Sequence, residues 1–323
     1  MNRRRFLALA AAGVAAGAAS SFGSLAATAA EAPLDAAAFD AARRFVRTAF
    51  GNIAYVERGR GDAALFLHGF PLNGFQWRDV LPRLARHRRC IAPDFMALGH
   101  TEVAAGQDVG PQAQAAMLIA LLDALKIGSV ELIANDSGSQ VAQLLVARRP
   151  ARVRSLLLTN GDTEIDSPPP ALAPVIELSK AGRYCDEWLV PWRADKALAR
   201  SPQGIGGMCY ADPAHPTDEA IEAYFAPILA TPARKALMHA YAISLERNPL
   251  LGIQAALKRS TVPARIVWGT ADTIFSADSP DYLERSFGAS RGVRRLEGAR
   301  LFWPEERPEV IVEEARRLWG VAG

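Results

Sequence analysis

Histidine is scarce: His68, His87, His100, His215 and His239 are the five in 323 residues. None stands in an H-E-x-x-H or C-x-x-C arrangement, so the sequence offers no metal site and implies no cofactor. Cysteine is scarcer, with Cys90, Cys185 and Cys209. An odd number excludes complete disulfide pairing and leaves at least one thiol unpaired or intermolecular, Cys185 with Cys209 being the pair that could form. Net charge is also missing from the body of the chain. Residues 1–30 hold Arg3, Arg4 and Arg5 of the 37 basic residues and no acidic one, which leaves 34 basic against 34 acidic groups. A neutral chain has no electrostatic footprint for a nucleic-acid partner.

Apolar residues are plentiful, at 50%, enough for one large core. The first thirty residues join Arg3-Arg4-Arg5-Phe6-Leu7 to an uncharged Ala/Gly-rich run that ends near Ala27-Thr28-Ala29. This resembles a twin-arginine export signal with an Ala-x-Ala cleavage window. It predicts the twin-arginine machinery as a partner and a periplasmic or secreted location. The run is rich in Ala and Gly, poor material for a stable membrane anchor, so none is expected after cleavage.

Residues 31–42 read as a lead-in, followed by two β-rich runs with a turn at Gly51-Asn52. Short apolar runs then alternate with helical patterns: "AALFLHG", "CIAPD", "SVELIAND" and "VRSLLLTNG", with helices over about 77–85, 111–126 and 140–149. Short buried strands separated by helices of that length predict an α/β fold with a mostly parallel sheet covered on both faces. The alternation stops at "DTEIDSPPPALAP", where proline cannot continue a strand or a helix interior. About 80 residues of helical character follow before strands return in "ARIVWGTAD" and "GVRRLEG". Residues 43–164 and 248–323 are thus expected to form one core, with 165–247 inserted as a helical cap. "GIGGM" in the cap follows no strand and reads as a flexible turn rather than a phosphate loop. A last helix is predicted over Pro308 to Trp319.

In "LIANDSGSQVAQLL" an Asp and a Ser stand side by side at a strand-to-helix turn. A nucleophile held on such a strained turn needs small residues two before and two or three after it. Asp136 has Ala134, Gly138 and Ser139 there, whereas Ser137 has Asn135 two before. The steric pattern favours Asp136 over Ser137.

From Arg44 to Trp319 the chain resembles the α/β-hydrolase superfamily. "HGFPLNGFQWRDVLPRL" is similar to its His-Gly oxyanion loop, and "APDFMALGHTE" to its Asp-x-x-Gly-x-Gly turn, with Ala97 where the first Gly usually stands. An Asp at the elbow is similar to the haloalkane dehalogenase and epoxide hydrolase branch. The resemblance implies an eight-stranded sheet with the cap inserted after the sixth strand, and a small-molecule substrate. It also implies an ester formed on Asp136 with backbone N–H groups of Phe70 and Ser137 as oxyanion hole, and an acid at Asp272 in "IVWGTAD", with Asp162 in "TNGDTE" as the alternative position.

The base is missing. Where the superfamily carries Gly-Ala-Gly-His-Phe, this chain reads Gly298-Ala299-Arg300-Leu301-Phe302, so Leu301 occupies the histidine position. Phe70 and Ser137 also stand where similar dehalogenases carry Asn and Trp. His239, on an apolar helix predicted from Pro232 to Glu246 with Thr231 as N-cap, is the one candidate substitute base. Three functions remain open on these residues: a hydrolase of a small apolar ester, lactone, epoxide or related electrophile; a non-hydrolytic lyase or isomerase using Asp136 as base; and a catalytically inactive periplasmic ligand-binding homologue.

Overall fold

A computed structural model describes residues 33–104 and 106–322; the export signal expected over residues 1–30 lies outside the described residues. Among the described residues nine strands form one sheet: β1 (Arg43–Thr48), β2 (Gly51–Arg58), β3 (Ala63–Leu67), β4 (Arg89–Pro93), β5 (Glu102–Val103), β6 (Val130–Ala134), β7 (Val153–Leu158), β8 (Ala264–Gly269) and β9 (Ser290–Leu296). Their order is β1-β2-β4-β3-β6-β7-β8-β9, with β5 attached to β2 outside that path. The eight-stranded expectation therefore holds for the path, and the two-residue β5 makes a ninth. Its cause is local: the turn after Asp94 leads the chain back to Gly51, where a Cβ would stand 2.0 Å from the Glu102 carbonyl oxygen. Gly51 serves this crossing and does not make the hairpin turn. The turn is Ala49-Phe50, with Gly51 and Asn52 already paired to Thr48 and Arg47.

β1, β2, β4 and β5 pair antiparallel, and the sheet is parallel from β4 through β9. All five residues of β3 and of β6 are buried, as strands covered by helices on both faces require, and the one charge among them, Glu131, is paired with Arg154 at 3.2 Å. Parallel strands with right-handed crossovers bring the C-terminal ends of β3, β6, β7 and β8 to one edge, where ligands of such sheets bind. The residues following those four strands build the site.

Between β7 and β8 lies the helical insertion. Its helices include Ala173–Lys180, Ile205–Cys209, Asp218–Leu229 and Pro232–Ser244, and Thr231 caps the last through its side chain. Core and insertion belong to one compact unit. A buried cluster joins them: Arg78 from the core donates to Glu305 at 2.6 Å, and the cap hydroxyls of Tyr210 and Tyr224 donate to the same carboxylate at 2.5 and 2.8 Å. The "GIGGM" segment is not a flexible turn. Its Gly206 and Gly207 pack so closely that a Cβ would meet Arg200 Cα at 2.6 Å and Ser201 O at 2.5 Å.

The lead-in contributes more than a connection. Asp35 caps helix Ala36–Ala41, whose Phe39 packs edge-on against Phe75 at 5.2 Å. The closing helix spans Pro308–Trp319, ending at Gly320 in the left-handed conformation that stops helices. All three cysteines are buried and free, so the Cys185–Cys209 pair does not form. Among the described residues no helix is long and apolar enough to cross a membrane.

Candidate active site

Asp136 sits between β6 and helix Ser137–Arg148 with φ 54° and ψ −127°, a conformation that costs a non-glycine residue on the order of 1–3 kcal/mol. Close packing holds it there. A Cβ on Gly138 would lie 2.6 Å from the Leu67 carbonyl oxygen, and one on Gly161 would lie 2.6 Å from that of Asp136. The Ser139 hydroxyl donates to the carbonyls of Ala134 and Thr159, both at 3.2 Å. Asp136, not Ser137, occupies the strained position; Ser137 is the first helical residue.

The Asp136 carboxyl is buried. Its Oδ2 accepts the Phe70 N–H at 2.6 Å. Burial pushes its pKa up to about 7, opposed by the N–H groups of Phe70 and Ser137 and reinforced by the charge of Asp272. Oδ2 is thus committed to the Phe70 N–H, which leaves Oδ1 as the oxygen to react.

Positioning comes from a relay that sequence reading missed. Gln76 Oε1 accepts the Gly69 N–H at 2.9 Å, and its Nε2 donates to Asn135 Oδ1 at 2.6 Å. Asn135 Nδ2 in turn donates to Thr159 Oγ1 at 2.7 Å and to the Leu301 carbonyl at 3.0 Å. This chain of amides locks the loop after β3, the elbow and the loop after β9 into one frame. Its only trace in the sequence is a polar Asn directly before the elbow Asp.

A tight cavity of about 90 Å³ lies over Asp136. Its polar lining is Asp136, Ser137, Asp162 and Cys209. Much of the wall is aromatic: Phe70 stacks on Tyr184 at 6.1 Å, Tyr184 meets Trp188 at 5.6 Å, and Trp188 meets Trp192 at 5.3 Å. The last three stand four residues apart in the cap, a spacing legible in "GRYCDEWLVPWRA". Leu301 lines the cavity and is buried. Among the described residues no Lys, Arg or His side chain lines it.

Asp272 lies behind this wall. Its Oδ2 accepts from Asn160 Nδ2 at 2.8 Å and its Oδ1 from the Ile274 N–H at 2.8 Å. Burial raises it to about 6 against those donors. Asp162, the alternative acid position, does reach the cavity. Its Oδ1 accepts from Gln140 Nε2 at 3.1 Å and from the Ser167 hydroxyl at 2.7 Å. Burial, then the charge of Asp136, pushes it up to about 8.

His239 does not join this group. Its Nε2 accepts the Cys185 N–H at 3.2 Å inside the cap, and it does not line the cavity; a buried imidazole has found a structural partner. The expectation that His239 substitutes as base is therefore corrected, because the ring is a buried structural group off the cavity. Tyr241, two residues further along the same helix, is the residue turned to the elbow. Its hydroxyl faces that of Ser137, yet neither closes a hydrogen bond. His68 accepts the Phe95 N–H on Nε2 and bonds the Gly69 carbonyl through Nδ1; burial lowers it to about 4, so it supports its own loop as a neutral ring.

The family model described as alpha/beta hydrolase fold matches residues 63–303, well over half of the chain. The chain belongs to the α/β-hydrolase fold family. Among its relatives are a haloalkane dehalogenase of Mesorhizobium japonicum, 41% identical over 32% of this chain and 34% of that protein, and a 2-hydroxy-6-oxo-2,4-heptadienoate hydrolase of Pseudomonas putida, 37% identical over 31% and 37%. An epoxide hydrolase of Caballeronia sordidicola is 34% identical over 35% and 37%. The matched stretches span about a third of the length of these curated relatives. The solved epoxide hydrolase CorEH, without ligand, superposes with a TM-score of 0.71 at 20% identity, covering 86% of this chain and 98% of that one, which shows the fold. The relatives of this α/β-hydrolase-fold chain thus include dehalogenases, epoxide hydrolases and a dienoate hydrolase.

Proposed function

We propose that this α/β-hydrolase protein hydrolyses a small, largely apolar electrophile through an ester formed on Asp136. The observation that carries this reading is the elbow itself: a buried carboxyl at positive φ, one oxygen bound by the Phe70 N–H and the other free toward an aromatic cavity. A carboxylate attacks carbon without needing a base. Oδ2, held by the Phe70 N–H, then becomes the carbonyl oxygen of the ester and, with the Ser137 N–H beside the carboxyl, takes the negative charge that develops when water adds.

The leaving atom fits oxygen better than halide. Phe70 offers no side-chain donor, whereas the unpartnered hydroxyls of Ser137 and Tyr241 stand beside the elbow. Asp272 holds the acid position and Leu301 the base position, so the second half-reaction needs another group.

The test is intact-mass spectrometry of the mature protein and of Asp136→Ala after exposure to a panel of activated esters, epoxides and haloalkanes, with products analysed in parallel. An adduct or product that requires Asp136 is the expected result; full turnover by Asp136→Ala refutes the reading. Export is proposed from the Arg3-to-Leu7 motif, and accumulation of uncleaved cytoplasmic precursor on Arg4→Lys with Arg5→Lys tests it.

A further inference from the structure

Asp162 is a buried carboxyl on the cavity wall for which packing supplies no explanation. Both of its neighbouring side-chain donors, Gln140 and Ser167, are neutral and bind Oδ1; among the described residues Oδ2 accepts from no other side chain. The charged groups that bear on it most are Asp136 and Asp166, and it in turn faces Tyr241. None is a cation. Two carboxylates buried in one apolar cavity without a cation cannot both stay ionised, so such a pair holds a proton. Asp272 is different, because both its oxygens are bound and it stands off the cavity.

We propose that Asp136 and Asp162 act on an epoxide as a pair sharing one proton, with Asp162 serving first as acid and then as base in place of the histidine that Leu301 replaces. The proposal rests on Asp136 being the nucleophile. In the first step the free oxygen of Asp136 bonds to one epoxide carbon. The ring C–O bond breaks, its electron pair stays on the ring oxygen, and that oxygen takes the proton of Asp162. The products are a hydroxyalkyl ester on Asp136 and an ionised Asp162.

In the second step Asp162 removes a proton from water as the water oxygen bonds to the ester carbonyl carbon, and the oxyanion is held by the Phe70 and Ser137 N–H groups. The bond from that carbon to the alkyl oxygen then breaks. The alkoxide takes the proton of the newly formed Asp136 acid and leaves as diol, so Asp136 ends ionised and Asp162 protonated. One water is consumed and the shared proton is restored. An epoxide suits this cycle because its oxygen needs a proton at ring opening, and giving that proton is what converts Asp162 into a base. A halide leaves unprotonated and strands Asp162 in its acid form.

Styrene oxide and phenacyl bromide are the probes, the second alkylating a carboxylate without acid assistance. Wild type is expected to convert styrene oxide to the diol, and Asp162→Asn to lose at least about a hundred-fold of that rate, the usual span of one acid–base group. With phenacyl bromide, Asp162→Asn is expected to retain an Asp136-dependent ester that wild type clears above neutral pH. Diol formation or ester clearance by Asp162→Asn at the wild-type rate overturns the pairing while leaving the nucleophile in place. Full activity of Asp136→Ala, or no Asp136-dependent product or adduct from either probe, overturns both.

Ser167→Ala guards against a variant that merely misfolds. It removes a hydroxyl donor from Asp162 and leaves Asp136 untouched, so the pH at which wild type clears the phenacyl ester is expected to move upward. An unmoved profile contradicts Asp162 as the base.

Discussion

Asp136 and Asp162 follow neighbouring parallel strands, β6 and β7, and line one cavity on which, among the described residues, no cationic side chain stands. Adjacent strand ends are where a parallel sheet brings two loops together, and burial does the rest by making ionisation of both groups costly.

The relationship gives a pH dependence with a definite sign. Epoxide opening needs Asp136 ionised, so the rate rises with pH through about 7. It also needs Asp162 protonated, so the rate falls as pH passes about 8. kcat/KM for styrene oxide is therefore expected to trace a narrow bell between those limbs. Steady-state assays from pH 5 to 10 check it, and a plateau up to pH 10 rules out an acid role for Asp162.

Leu301 has a corresponding repair. In the Asp162→Asn protein, adding Leu301→His puts an imidazole on the cavity wall, in the loop held by Asn135. Clearance of the phenacyl ester is expected to recover by about ten-fold or more, part of the roughly 10²–10⁴-fold that a well-positioned base supplies. Single-turnover mass spectrometry measures it, and no recovery implies that the loop cannot aim a ring at the ester.

Much of this site can be seen in the residues alone. Short, mostly apolar runs mark β3, β6 and β7, and the small neighbours of Asp136 mark the elbow, because sterics at a strained turn act over three or four residues. What could not be read depends on distance in space. His239 stood as the candidate substitute base on an apolar helix, but an apolar helix does not say which neighbour meets a given side chain, and the Cys185 N–H meets this ring. Asp162 looked like one of two interchangeable acid positions. Only the fold reveals that Asp272 is enclosed by Asn160 and Ile274 while Asp162 opens on the cavity.

Stability should carry the same signature. Asp162 has a folded pKa raised above its unfolded value, so its contribution is fully present below about 4 and is lost as pH climbs through about 8. Asp162→Asn removes that loss. Relative to wild type it is expected to gain on the order of a few kcal/mol between pH 5 and pH 9. Urea denaturation of both proteins at the two pH values tests this, and a pH-independent difference contradicts burial of an ionising Asp162.

The cap is held by a different buried charge. Glu305 accepts from Arg78, Tyr210 and Tyr224, and Tyr210 directly follows the cavity residue Cys209. Glu305→Gln keeps the size of the side chain but leaves the buried Arg78 guanidinium, among the described residues, with Asp79 at 3.5 Å as its remaining carboxylate. Removing one partner of such a pair costs about 3–5 kcal/mol, and for a protein of this size that lowers Tm by several degrees. Because the cluster joins cap to core without touching the carboxyl pair, KM is expected to rise more than kcat falls. Calorimetry with steady-state kinetics separates the two effects, and an unchanged KM would mean that the cap keeps its position on aromatic packing alone.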